Sequence, residues 1–224
     1  GWEPLPESET TLAQILAGNG FHTAAVVDTP FYLRGDMNYD RGFETFVMYS
    51  GQEGSGTRVQ LKGNHESRDV RSARRYEEDC NAPRTFMNAM RWVEKHYKED
   101  FFLYIDTWDP HEPWDPPEYM VKRYDPDYTG TPMLHPNYGL SSDYTEAELR
   151  NLRAHYVAEA EMTDRWIGRI MQKIDDLDLW DNSIVVFTSD NGPHSEGGGK
   201  STFFKSSGKL RGQKRDLYDG GIRV

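Results

Sequence analysis

Cysteine is almost missing from this 224-residue chain, which has Cys80 alone. No internal disulfide framework can hold it together. Its order must come from a buried core, and the length is ample for one. Long hydrophobic runs are also missing: nothing approaches the roughly 18 consecutive apolar residues of a membrane span. Positive charge is scarce, with 26 Lys and Arg against 37 Asp and Glu and a net charge of −11. That balance argues against nonspecific affinity for nucleic acid or anionic membrane, and an anionic ligand would need a local cationic pocket. The chain opens on Gly1 and both ends read as cut, so the missing targeting signal says nothing about compartment.

What is present is a globular composition, 36% hydrophobic, with the apolar residues gathered into elements. Residues 8–20 read as a helix, with Ser8 or Thr10 as cap, Leu12, Ile15 and Leu16 as apolar positions and Asn19-Gly20 as the stop. Residues 21–27 read as a parallel core strand left through Asp28-Thr29-Pro30, and Arg41-Gly42-Phe43 as a turn with a buried Phe. Residues 51–81 are polar and charged and form a surface excursion. A second helix spans 82–99, with Phe86, Met90, Val93 and Tyr97 at helical spacing and Pro83 tolerated in its first turn. A second buried strand, 101–105, follows. The Pro-rich stretch 115–143 is a second surface excursion. Residues 145–177 carry the longest helical pattern, with a break near Thr163 and an apolar face of Leu149, Leu152, Tyr156, Val157, Ala160, Met162, Ile167, Ile170 and Ile174. Finally Ile184, Val185, Val186 and Phe187 read as a strand buried on both faces. Helix, strand and loop recur three times, which predicts an α/β fold with a mostly parallel sheet flanked by helices.

In open α/β sheets ligands sit at the carboxyl ends of the strands. There the last strand presents Ser189-Asp190-Asn191-Gly192, a carboxylate and an amide oxygen that also suit an ordinary turn. The strand at 101–105 ends in Asp106-Thr107-Trp108-Asp109-Pro110-His111-Glu112-Pro113. Further on lie Leu210-Arg211-Gly212-Gln213-Lys214 and Tyr218-Asp219-Gly220-Gly221-Ile222-Arg223, so fixed cations and oxygen donors lie close in sequence.

This ordered series, SDNG then LRGxK then YDGGIR, with the upstream strand followed by D-P-H-x-P, resembles the sulfatase family of the alkaline-phosphatase-like superfamily. The resemblance spans nearly the whole chain and makes 1–224 a central piece of a catalytic domain, incomplete at both ends. It implies sulfuric ester hydrolysis by the complete protein, on a small-molecule or glycan sulfate ester. It assigns Asp190 and Asn191 as two ligands of a divalent cation, usually calcium, for which hard oxygen donors are the right type. Lys214 would contact the sulfate oxygens and His111 would lie beside the leaving group. Arg211, His194 and Lys200 are lesser substrate-binding candidates.

Two departures stand out. The family's nucleophile is a formylglycine made from C/S-x-P-x-R, expected upstream of Leu5. Cys80 lies in Cys-Asn-Ala-Pro-Arg, one residue too long, and reads as a coincidental match. Thr29 and Phe31 stand where a sulfate-contacting Lys and His are expected, which implies a rearranged pocket or some loss of anion affinity. Two other readings remain at this level: a sister hydrolase of phosphate or phosphonate esters, and a non-catalytic homologue that binds sulfated glycans.

Overall fold

The computed structural model describes residues 3–29, 33, 36–49, 75–136, 140–188, 191–194, 205, 208–214 and 216. The chain divides into two compact units, one of Gly1–Pro136 with Glu146–Leu179, the other of Asn137–Thr145 with Trp180–Val224.

The first unit is built on a three-stranded, all-parallel sheet. β1 (His22–Val27) lies in the centre, between β2 (Thr45–Met48) and β3 (Phe101–Asp106). Ala24 pairs with Thr45 on one side and with Leu103 on the other, and Val27 pairs with Asp106. Residues 23–27 of β1 are all buried, as small and β-branched side chains covered on both faces should be. β3 differs from the buried strand expected for 101–105. It is half-buried throughout, with Tyr104 exposed, because only one of its edges is paired among the described residues. β2 went unpredicted: its four residues sit in a stretch dominated by turn and polar residues, too short for periodicity to register.

α2 (Asn81–His96) and α4 (Glu146–Asp176) cover one side of the sheet. Val26 of β1 packs there with Phe86 and Ala89 of α2 and Ala154, Ala158, Met162, Trp166 and Ile170 of α4. The small residues on both helices permit close approach. Ala25 and Val27 point the other way, to Leu33, Phe43 and Phe46, as period-2 alternation requires. α4 runs without the expected break. Its buried face is Asn151, Ala154, His155, Ala158, Glu159, Met162, Thr163, Trp166 and Ile170, while Tyr156 and Val157 are exposed. A stripe containing this many polar residues is invisible to a search for apolar spacing.

α1 (Leu12–Gly18) is capped by Thr11 rather than Ser8 or Thr10. The Thr11 hydroxyl accepts from Gln14 N at 3.1 Å, and Gln14 Oε1 accepts from Thr11 N at 3.0 Å, a closed capping box. Its buried residue is Ala13, whereas Leu12 and Ile15 are exposed. The Arg41-Gly42-Phe43 turn is structural, as expected. The Arg41 guanidinium donates to the carbonyls of Asn38, Glu7, Pro6 and Glu9 at 2.9–3.2 Å, and Phe43 stacks on Phe102 with centroids 5.8 Å apart.

Most of the excursion at 51–81 lies outside the described residues. Its end holds a 3₁₀ turn, Glu77–Asp79, and the first residue of α2. The Pro-rich stretch is less superficial than expected. It contains α3 (Glu118–Val121), and Met120, Val121 and Leu134 are buried. Beneath it, Glu77 accepts from Tyr119 Oη (2.8 Å), Trp166 Nε1 (3.0 Å) and the Arg165 guanidinium, tying the 3₁₀ turn to α3 and α4. No helix among the described residues is long and apolar enough to cross a membrane.

In the second unit the strand expected at 184–187 is not formed. Ile184, Val186 and Phe187 are 95%, 79% and 66% exposed, and no sheet partner faces them among the described residues. An apolar run can encode a strand, but the strand exists only where a neighbouring edge accepts its backbone.

Candidate active site

The carboxyl ends of β1 and β3 meet one register step past Val27–Asp106. Asp28, the residue after β1, is fully buried. One carboxylate oxygen accepts from the Thr85 hydroxyl of α2 at 2.7 Å, and the other from the Trp108 backbone N–H at 2.7 Å. Burial pushes its carboxyl above the usual range, and the nearby Asp106 adds to that; the Trp108 and Thr85 bonds oppose it. Asp106 in turn accepts from Thr29 Oγ1 and from Tyr104 Oη, each at 2.9 Å. Thr29, where a Lys was expected, is thus buried and committed to fastening two strand ends.

These contacts hold the start of the loop that carries His111. Asp109, also buried, accepts from Ala82 N at 3.3 Å. It supplies an anionic cap to α2, whose own N-cap residue, Cys80, makes no side-chain cap. The His111 ring lies on Trp108, centroids 4.3 Å apart, and its Nδ1 is 2.8 Å from the Glu112 carbonyl. A carbonyl only accepts, so Nδ1 carries a proton. Nε2 is then the ring atom that exchanges a proton with anything outside. Glu112 reaches both His111 (3.5 Å) and His135 (3.7 Å), and Trp114 N donates to Leu134 O at 2.7 Å. The loop is therefore braced from α2, from β1 and from the Pro-rich stretch.

The other sequence candidates belong to the second unit. Asn191 is half-buried there, and Lys214 N donates to Pro193 O at 2.8 Å, so the LRGQK segment is bonded to the turn that carries Asn191 and His194. Gly212, at φ +96°, provides the left-handed bend just before it. His194 and Arg211 are exposed. Asp190, Lys200 and Phe31 lie outside the described residues.

A cavity of about 430 Å³ opens in the first unit between the Pro-rich stretch and α4, lined by Asp115, Lys122, Asp125, Tyr128, Asn151 and His155 among others. None of the predicted site residues lines it. His155 on its wall links it to the His111 loop, with Nδ1 3.0 Å from Trp114 O.

Cys80 is 1% exposed and packs in the main core. A side chain so enclosed cannot attack a substrate, in keeping with a coincidental match to the nucleophile motif.

Comparison with protein families matches the Sulfatase model to residues 1–224. The chain belongs to the Sulfatase family. An N-acetylgalactosamine-6-O-sulfatase of Bacteroides thetaiotaomicron is 30% identical over 142 residues, 61% of this chain and 22% of that protein. An ulvan-active sulfatase of Formosa agariphila is 27% identical over 237 residues, covering 98% of this chain and 40% of that one. This sulfatase chain thus spans less than half the length of either relative. Among solved structures, the phosphonate monoester hydrolase of Agrobacterium radiobacter shares the fold, with a TM-score of 0.57 and 17% identity over 98% of this chain and 52% of that one.

The sequence motifs put forward His111 but not Asp28, Thr85, Asp106 and Asp109, whose bonds brace its loop. One signal was available: β1 and β3 each carry an aspartate directly after their last aliphatic residue, Val27-Asp28 and Ile105-Asp106. Thr85, inside a helix, gives no such sign.

Proposed function

We propose that the complete protein hydrolyses sulfate esters of carbohydrates, with His111 as general acid. The observation that carries this is the Sulfatase match over the whole chain, and the choice of a carbohydrate is supported by the N-acetylgalactosamine named in a relative. In the reaction a nucleophile forms a bond to sulfur as the bond between sulfur and the ester oxygen breaks, and that oxygen leaves with the electron pair. His111, as imidazolium, delivers the Nε2 proton to it, while its Nδ1–H stays on the Glu112 carbonyl. Lys214 places its ammonium against the nonbridging oxygens, where charge must be balanced.

Asp190 and Asn191 are a carboxylate and an amide, both hard oxygen donors, and this donor set fits calcium better than a softer metal. A cation held there would draw charge from the sulfate oxygens. The nucleophile is expected from a formylglycine, and C/S-x-P-x-R does not occur in this sequence.

The test is release of inorganic sulfate from a sulfated N-acetylgalactosamine by the full-length protein, run beside a phosphonate monoester. Sulfate release is the expected result. Turnover of the phosphonate alone would move the protein to the sister hydrolases, and binding of the sulfated sugar without turnover would make it a non-catalytic homologue.

A further inference from the structure

At the opposite end of the sheet from His111, three potential metal ligands converge. They are His22, the first residue of β1; His96, the last of α2; and Glu99, in the turn between α2 and β3. One ligand atom from each lies within 4.8 Å of the other two. His96 Nδ1 is 2.7 Å and His22 Nε2 is 3.5 Å from the same oxygen, Glu99 Oε2. Ligands about 2.1 Å from a tetrahedral ion stand about 3.4 Å apart. The His22 spacing already matches. The His96 spacing needs only a small rotation of Glu99, whose side chain is 47% exposed.

A fourth residue gives the cluster its direction. Glu44 Oε2 sits 3.1 Å from His22 Nδ1, on the far side of the ring from Glu99. A carboxylate there holds the proton on Nδ1 and leaves the Nε2 lone pair facing Glu99 and His96. This is the outer-shell arrangement that orients and strengthens metal-bound histidines. The backbone is set as well: His22 N donates to Asp100 O and Glu99 N to His96 O, both at 2.9 Å. Trp92 stacks on the His96 ring at 4.5 Å.

We propose that His22, His96 and Glu99 bind a zinc-like divalent transition metal, with Glu44 as the outer-shell partner of His22, forming a clip that joins the start of β1 to the α2–β3 turn. Two imidazoles and one carboxylate favour borderline metals over calcium. Six residues of β-strand, about 20 Å at 3.3 Å per residue, separate His22 from Asp28, so this centre takes no part in the ester chemistry.

The experiment is calorimetric titration of the full-length protein with Zn²⁺ in excess calcium, with melting temperature followed in parallel. One Zn²⁺ per chain and a raised melting temperature are expected. Glu99→Gln and His96→Ala should each weaken binding at least about tenfold, and Glu44→Gln by about 10–100-fold while leaving the stoichiometry intact. His111→Ala alters a histidine at the opposite end of the sheet and should leave the affinity unchanged. Circular dichroism checks that each variant is folded, and Glu44→Gln and Glu99→Gln, nearly isosteric, keep the test open if His96→Ala is not. No stoichiometric Zn²⁺, wild-type affinity in Glu99→Gln, or loss of binding in His111→Ala would overturn the assignment.

Discussion

Asp28 carries a carboxyl buried between two strands and a helix, and its raised pKa has a consequence for stability. Where the folded value exceeds the unfolded one, the folded chain keeps a proton that the unfolded chain has released. Whatever Asp28 contributes is then fully present below its ordinary value of 3.8 and is lost as pH rises through the folded pKa. Asn cannot ionise, and its amide can still pair with Trp108 N–H and, after rotation of the hydroxyl, with Thr85. Asp28→Asn should therefore gain on wild type as pH rises from 3.8, read as the difference between their urea unfolding free energies across pH 4–7. A constant difference would mean that Asp28 is not desolvated as described. Asp109→Ala removes the carboxylate at the start of α2 and should cost about 1 kcal/mol in the same assay; no change would show that α2 needs no cap from the His111 loop.

Among the elements, the contact of α1 with the turn after β1 is the least tolerant. Gly42 adopts φ +92°, and a Cβ there would stand 2.2 Å from Gln14 N and 2.6 Å from Ala13 C, backbone atoms that cannot rotate aside. Gly42→Ala should destabilise by at least about 2 kcal/mol, from left-handed strain and overpacking together. Gly168, on the exposed side of α4 with nothing within 4 Å, is the control. Gly168→Ala should stabilise by about 0.5–1 kcal/mol. Denaturant midpoints decide both, and equal midpoints for the two variants would contradict the packing given for α1. Elements were legible in the sequence where composition and periodicity agreed, as in β1, α2 and the length of α4. They were illegible where tertiary context overrode local pattern. The buried face of α4 includes Asn151, His155, Glu159 and Thr163, and of these Asn151 is held by Met133 N and Asp125 and His155 by the Trp114 carbonyl, partners that local sequence does not announce. The run at 184–187 shows the converse, apolar residues that are not in a strand.

At the scale of the whole molecule, the motifs disclosed the family before any coordinates, since several short signatures in fixed order constrain a chain more than any one of them. What the motifs could not disclose was support. His111 could be named from D-P-H-x-P, whereas its orientation depends on Trp108, Glu112 and the Asp28–Trp108, Asp28–Thr85 and Thr29–Asp106 bonds, which join positions up to 80 residues apart. In the second unit Lys214 N donates to Pro193 O, which sets the cationic segment beside the Asn191 turn. If Lys214 faces the sulfate oxygens, Lys214→Ala in the full-length enzyme should weaken inhibition by free sulfate, and wild-type inhibition would place the ammonium elsewhere.

The most direct measurement is the leaving-group dependence of His111→Ala. A general acid matters most for a poor leaving group, and contributes about 10²–10⁴-fold where it acts. The variant should lose activity on that scale toward a sulfated sugar, whose alkoxide must be protonated, and far less toward an activated aryl sulfate. An equal loss on both substrates, or no loss on the sugar, would contradict the assignment of His111 as the proton donor.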